Sequence, residues 1–178
     1  MRFRSLTPFA CLISSIACAS SGGPPTDTQR VILTDDQIYR TSVSGNAKTI
    51  LSATPDQVWT ALGQVYAGLG VEVATLDRAN GRIGNAKFYK SRRMAGESIS
   101  AFLNCGDTFS GPAANVHRIH MSLISTVRPG PGGKTELETS FNAEAQSMEG
   151  ASSDRLACGT TGVLEERIRK AVEARLGG

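Results

Sequence analysis

Long apolar runs, aromatic side chains and net charge are all scarce in this chain. No stretch reaches the roughly 18–20 apolar residues that a bilayer-spanning helix needs, so no transmembrane helix is expected. Aromatics make up only 6% of the residues, which leaves the core to Val, Ile, Leu and Ala. The formal charge is +3. Without Arg2 and Arg4, which lie in a segment expected to be removed, 17 basic residues face 16 acidic ones. That balance carries no electrostatic argument for a nucleic-acid partner. The two histidines, His117 and His120, stand three apart on an expected strand and so point to opposite faces. They cannot chelate one metal together. A Cys-x-x-Cys pair is lacking, which disfavours structural zinc, and neither metal nor cofactor is expected. The glycines at 129–133 lack the Lys-Ser/Thr ending of a phosphate loop. Ser98, Asp107 and His117 have no nucleophile elbow to assemble them into a triad. Glu136, Glu138 and Glu144 read as a solvated strand face. These absences together disfavour an enzyme.

What is present is an ordinary globular balance, 40% hydrophobic and 20% charged over 178 residues, enough for one domain. Residues 1–17 read as a secretory signal: Arg2 and Arg4, a short apolar stretch from Leu6 to Ala17, then small residues. Ser15-Ile16-Ala17-Cys18 fits a bacterial lipobox with Cys18 as the lipidated residue, and a cut after Ala19 is the rival. Residues 18–30 are read as the lipidated Cys18 and a flexible tether, rich in Ser, Gly and Pro, and residues 31–178 as one domain. Ala19, in place of Asp after the Cys, leans toward the outer membrane, on its periplasmic face. A soluble periplasmic or secreted form is the alternative. Cys105 and Cys158 then remain as an even pair in an oxidising compartment. One disulfide is expected, with two buried thiols as the alternative.

Along the domain, Thr54-Pro55-Asp56-Gln57 is a capping box with Pro at the first helical position. Val58, Leu62, Val65 and Leu69 follow at helical spacing, and Gly70 is placed for a left-handed stop. This predicts a helix over 55–69. Residues 42–52 read as a first strand. Strands at 71–76 and 82–90 flank an Asn80-Gly81 turn. Residues 91–115 break the pattern with glycines and Cys105, a long connection with a short helical turn near Ile99–Leu103. Period-two alternation returns from Ile119 to Val127 and from Leu137 to Ala145, around a turn at 128–134. A closing helix over 161–176 carries Leu164, Ile168, Ala171, Val172 and Arg175 on one stripe, with Glu165–Arg169 and Glu166–Lys170 as outward pairs. The expected fold is α+β, of helix-grip type β-α-β4-α, an antiparallel sheet with two helices on one face.

Residues 57–84 resemble the helix-grip unit of BamC-type outer-membrane lipoproteins. The resemblance rests on Trp59, Leu62, Leu69, Gly70, Val73, Asp77, Arg78, Gly81 and Ile83. It implies an outer-membrane lipoprotein whose non-catalytic domain binds or scaffolds other proteins, in outer-membrane assembly.

Two further groups are candidate sites. Arg78, Arg82, Lys87, Lys90, Arg92 and Arg93 fall close together in sequence, a candidate contact with an anionic surface such as lipid headgroups or otherwise a solvated hairpin. Trp59, Met121, Phe141 and Leu164 are candidates to line a pocket, which would make the domain a periplasmic carrier of a lipid or small apolar ligand. The partners expected are thus the membrane, through the lipid, and an envelope protein.

Overall fold

The computed structural model describes residues 28–32, 38–42, 47–148 and 155–177. The expected signal, Cys18 and most of the expected tether lie outside the described residues. Strands β1 (Thr28–Ile32) and β2 (Ile38–Ser42) form an antiparallel pair of their own, and β1 begins inside the stretch read as tether. Then come β3 (Ala47–Leu51), helix α1 (Pro55–Gly68), β4 (Thr75–Asp77) and β5 (Arg82–Ser91). The next segment holds β6 (Arg93–Met94), β7 (Glu97–Ser98), β8 (Leu103–Asn104), β9 (Asp107–Thr108), β10 (Gly111–Pro112) and a single helical turn, α2 (Ala113–Val116). The chain closes with β11 (Arg118–Pro129), β12 (Thr135–Gln146), β13 (Arg155–Thr160) and α3 (Val163–Leu176).

The capping box forms as the sequence requires. The Gln57 backbone N–H donates to the Thr54 hydroxyl, and the Thr54 N–H donates to Gln57 Oε1 at 2.9 Å. Val58, Ala61, Leu62, Val65 and Tyr66 form the buried face of α1, and Gly70 takes the left-handed φ of +66° that ends it. The β11–β12 hairpin is the backbone of the sheet, in register from Arg118↔Gln146 to Pro129↔Thr135. Ile119, Met121, Leu123 and Val127 point inward to meet Ala145, Ala143, Phe141 and Leu137. Helix α1 packs on β5 and β11, α3 packs on β3 and β12, and the two helices touch each other.

The helix-grip order β-α-β4-α does not describe this molecule. Among the described residues strand outweighs helix, the main antiparallel sheet has seven strands, and there are three α-helices. The path runs β4-β5-β11-β12-β13-β8, with β3 also paired to β12. The outer edge of β12 is divided: β3 takes Thr135–Thr139 and β13 takes Ala143–Gln146. β8 then adds to β13 through Asn104↔Gly159 and Leu103↔Thr160. The reason is hydrogen bonding. A twelve-residue strand leaves a long row of unpaired backbone groups on its outer edge, and two short segments from distant parts of the chain satisfy it. β3 alternates in burial along its length, whereas β13 does not.

The segment expected as a long connection is instead folded on itself. β6 pairs with β7 and β9 with β10, and Ile99–Ala101 makes the short helical turn. The Ala95-Gly96 turn has φ of +50° and +81°, the two-residue geometry that suits a tight hairpin. Ile99 and Phe102 are fully buried, so the segment contributes to the core.

Candidate functional site

At the turn between β4 and β5 the Asp77 carboxylate accepts from the Asn80 N–H at 3.1 Å and from Asn80 Nδ2 at 2.7 Å. These bonds, with the side chain of Asn80 contributing most, hold the Asp77 pKa below the usual carboxylate range. Gly81 sits at φ +64°, and a Cβ built there would lie 2.1 Å from the Val127 carbonyl oxygen. The Val127 N–H donates to the Gly81 carbonyl at 2.8 Å. The turn is therefore seated directly on the backbone of β11, which is what the Asn-Gly pair makes possible.

That seating creates a cleft of about 670 Å³ between the start of α1, the turn, and the end of β11. Arg78, Arg82 and Arg128 line it with Trp59 and a single carboxylate, Asp56. Arg78 Nη2 donates to Asp56 Oδ1 at 2.5 Å, and its guanidinium lies 5.2 Å from the Trp59 ring centroid. Arg128 pairs with Glu138 at 3.5 Å. Asp56 and Arg128 were not singled out in the sequence. Arg128 reaches the cleft because β11 runs beside β5, with Thr126 opposite Arg82, and no local pattern announces that pairing.

The six basic residues of the hairpin do not form one patch. Arg78 and Arg82 lie at the cleft end of β5. Lys90 lies near the other end and turns to the helix side, where Nζ donates to the Gly70 carbonyl at 3.0 Å. Lys87 is exposed at a bulge in β5, opposite Ser122. Buried Asn85 shapes this bulge, donating to the Glu72 carbonyl at 2.9 Å and accepting from the Lys87 N–H at 3.0 Å. Arg92 and Arg93 belong to the folded segment beyond it, where Arg93 donates to the Gly96 carbonyl. Of the four pocket candidates, Met121, Phe141 and Leu164 are buried in the core. Trp59 is half-buried and is the one that faces the cleft.

The other end of the sheet is fixed covalently. Cys105 and Cys158 form a disulfide, with Cα atoms 4.2 Å apart and a separation of 53 in sequence. It ties the segment after β8 to β13. Just beyond it, Phe109 stands fully exposed at the tip of the turn joining β9 to β10. The turn is firm: Thr108 Oγ1 donates to the Gly111 carbonyl at 2.8 Å, and the Ser110 N–H donates to Thr108 Oγ1 at 3.2 Å.

Several other polar groups singled out in the sequence have partners. His120 Nε2 shares a hydrogen bond with Gln146 Oε1 at 2.9 Å, and the backbone N–H of His117 closes the short turn α2 on the Ala113 carbonyl. Ser98 Oγ donates to Asn115 Oδ1 at 2.7 Å. On the polar sheet face Lys48 lies 3.7 Å from both Glu136 and Glu138, and Arg155 lies 3.3 Å from Glu144. Among the described residues no group of three or more His, Cys, Asp or Glu side chains is placed to hold a metal ion. No described helix is long and apolar enough to cross a membrane.

Helix α3 corrects one further expectation. Glu165 does not pair outward with Arg169. It is only 2% exposed, and neither carboxylate oxygen has a hydrogen-bond partner. Burial raises its pKa, opposed in part by its own backbone N–H and the Thr160 side chain, which stand outside good bonding geometry. Arg169 instead clasps Glu166 and Glu173 at 2.6–2.7 Å. Its hydrogen bond holds the Glu166 pKa down to about 2. The expected Glu166–Lys170 pair forms at 3.4 Å.

No known family's sequence model matches the chain, and no curated protein is detectably similar to it. The BamC-like resemblance therefore rests on the residues quoted above alone.

Proposed function

We propose that this chain is an outer-membrane lipoprotein, anchored through Cys18 and facing the periplasm, whose domain is a non-catalytic protein-binding module. The observation that carries the reading is the disulfide-braced tip. A disulfide of this kind persists in an oxidising compartment. Here it steadies a short turn whose one large apolar side chain, Phe109, is presented wholly to solvent. An exposed aromatic is the kind of residue that anchors a partner protein, and the hydrogen bonds of its turn limit the backbone entropy lost when it docks. The sequence of residues 1–18 supports the membrane address. An apolar carrier has less support, because Met121, Phe141 and Leu164 are packed among other core side chains.

Metabolic labelling with an alkyne fatty acid tests the anchor: the native chain takes up label and Cys18→Ser does not. Cross-linking in intact cells tests the module, with one protein recovered in constant ratio and lost in Phe109→Ser. An unlabelled chain, or the same cross-links with Phe109→Ser, overturns the corresponding half of the reading.

A further inference from the structure

We infer that the cleft between α1, the β4–β5 turn and the end of β11 is a binding site for a phosphorylated sugar. This deepens the binding-module reading by naming a small ligand for it, at the opposite end of the sheet from Phe109. Three guanidiniums and one carboxylate line the cleft, with Glu138 beside Arg128 and Asp77 near Arg82 just outside the lining. A phosphate monoester carries about −1.5 to −2 near neutral pH, so it competes for these guanidiniums better than the singly charged carboxylates that now face them. Guanidinium forks present two parallel N–H donors to phosphate oxygens, and all three cations here are Arg, none Lys.

The present partners of two of these arginines are readily exchanged. The side chains of Arg78 and Asp56 are 63% and 83% exposed, so water and salt screen their attraction. Arg128 stands 3.5 Å from Glu138 and is itself 57% exposed. Arg82 makes no ion pair within 4.0 Å among the described residues and acts only at longer range on Asp77. An incoming phosphate therefore has one cation free of an ion pair and two loosely held. Trp59 supplies the second half of the site. The Arg78 guanidinium now lies over its ring, and when Arg78 turns to a phosphate that face is freed for the carbon face of a sugar ring. A cleft of about 670 Å³ falls in the range that holds small-molecule ligands, and the turn that shapes it is fixed by the Asp77–Asn80 bonds and by Gly81 against Val127.

Trp59 is the only tryptophan of the chain and borders this cleft, so a ligand there should change its emission. The experiment titrates the purified full chain, in phosphate-free buffer of low ionic strength, with glucose 1-phosphate, with glucose and with inorganic phosphate. A parallel arm uses phosphatidylcholine vesicles carrying lipid A, whose headgroup is a phosphorylated sugar. A saturable change with glucose 1-phosphate, at least about tenfold weaker with inorganic phosphate and absent with glucose, is the expected result. It should weaken by at least about tenfold in Arg82→Ser/Arg128→Ser, with the melting temperature of that variant checked to show that it is folded. A response to the lipid A vesicles alone assigns the sugar phosphate to a membrane headgroup, and a response to the soluble ester assigns it to a free metabolite. No saturable change in either arm overturns the inference. So does an unchanged response in the double variant, or inorganic phosphate binding as well as the ester. None of these failures touches Cys18 labelling or Phe109 cross-linking, which need no phosphate.

Discussion

The β11–β12 hairpin and the segment from Ser91 to His117 are held together by different physics. The hairpin has twelve residue pairs in one register, and its inward positions supply Ile119, Leu123, Leu137 and Phe141 to the core. Its stability comes from a repeating pattern that pairs and buries at once. The other segment's own ladders are each two residues long, too short to stand alone. It is fastened by Ile99 and Phe102, which are buried, and by the Cys105–Cys158 bond. A regular region is stabilised by many equal contacts, and an irregular one by a few unequal ones, so single changes should damage the two in different ways.

The largest effect should come from breaking the disulfide. Closing a loop of 53 residues removes unfolded-state entropy worth about 4 kcal/mol in the chain-entropy model. Cys105→Ser/Cys158→Ser should lower the denaturation midpoint accordingly. Hydrogen exchange should quicken first around 99–113 while residues 119–145 stay protected. Equal loss of protection in both regions would erase the distinction. Leu123→Ala should come next, at about 3 kcal/mol for a cavity in the hairpin core, and it should loosen both regions together in the same measurement.

A smaller effect, with a pH signature, is expected at Glu165. Its folded-state pKa is raised by burial, so the folded protein resists the charged form that the unfolded chain adopts freely. The penalty is fully present above the raised folded pKa. As pH falls through that value the folded state takes up a proton first, and the penalty fades toward the ordinary Glu pKa. Glu165→Met should therefore stabilise the protein by about 1–2 kcal/mol at neutral pH and by less in mild acid, read from denaturation midpoints at several pH values. A gain independent of pH would contradict the buried charge. Smallest of all, Ala95→Gly should gain up to about 1 kcal/mol by relieving the positive φ of that residue, with the protection gained confined to the β6–β7 turn.

The same contrast explains what the sequence made legible. Helix α1 is written locally, in Thr54, Pro55 and Gln57 and in the spacing of Val58, Leu62 and Val65. The hairpin is written in its alternation, and the disulfide in the even pair that Cys105 and Cys158 make once Cys11 and Cys18 are set aside for the expected signal and lipid site. The divided edge of β12 is not local. β13 reads Arg-Leu-Ala-Cys-Gly-Thr, with no period to betray a strand, and it finds its place by pairing with Ala143–Gln146. The bulge at Asn85–Phe88 depends on a side chain bonding to the Glu72 carbonyl. Glu165 looked like one half of an outward pair because helical spacing permits that pair, yet the first turn of α3 is rolled so that Glu165 faces in beside Leu164. The cleft was half legible: Trp59, Arg78 and Arg82 stood out by type, but Arg128 and Asp56 join them only through tertiary register.

The claim on which the rest depends is that this domain lives, cross-linked, on a lipid anchor in the envelope. The most direct measurement is the intact mass of the chain extracted from membranes under acid quench and treated with an alkylating reagent before any reduction. The account predicts a polypeptide that starts at Cys18, carries the added mass of lipid, and takes up no reagent at Cys105 or Cys158. A full-length, unlipidated chain recovered in the soluble fraction, with both of those cysteines alkylated, would contradict it.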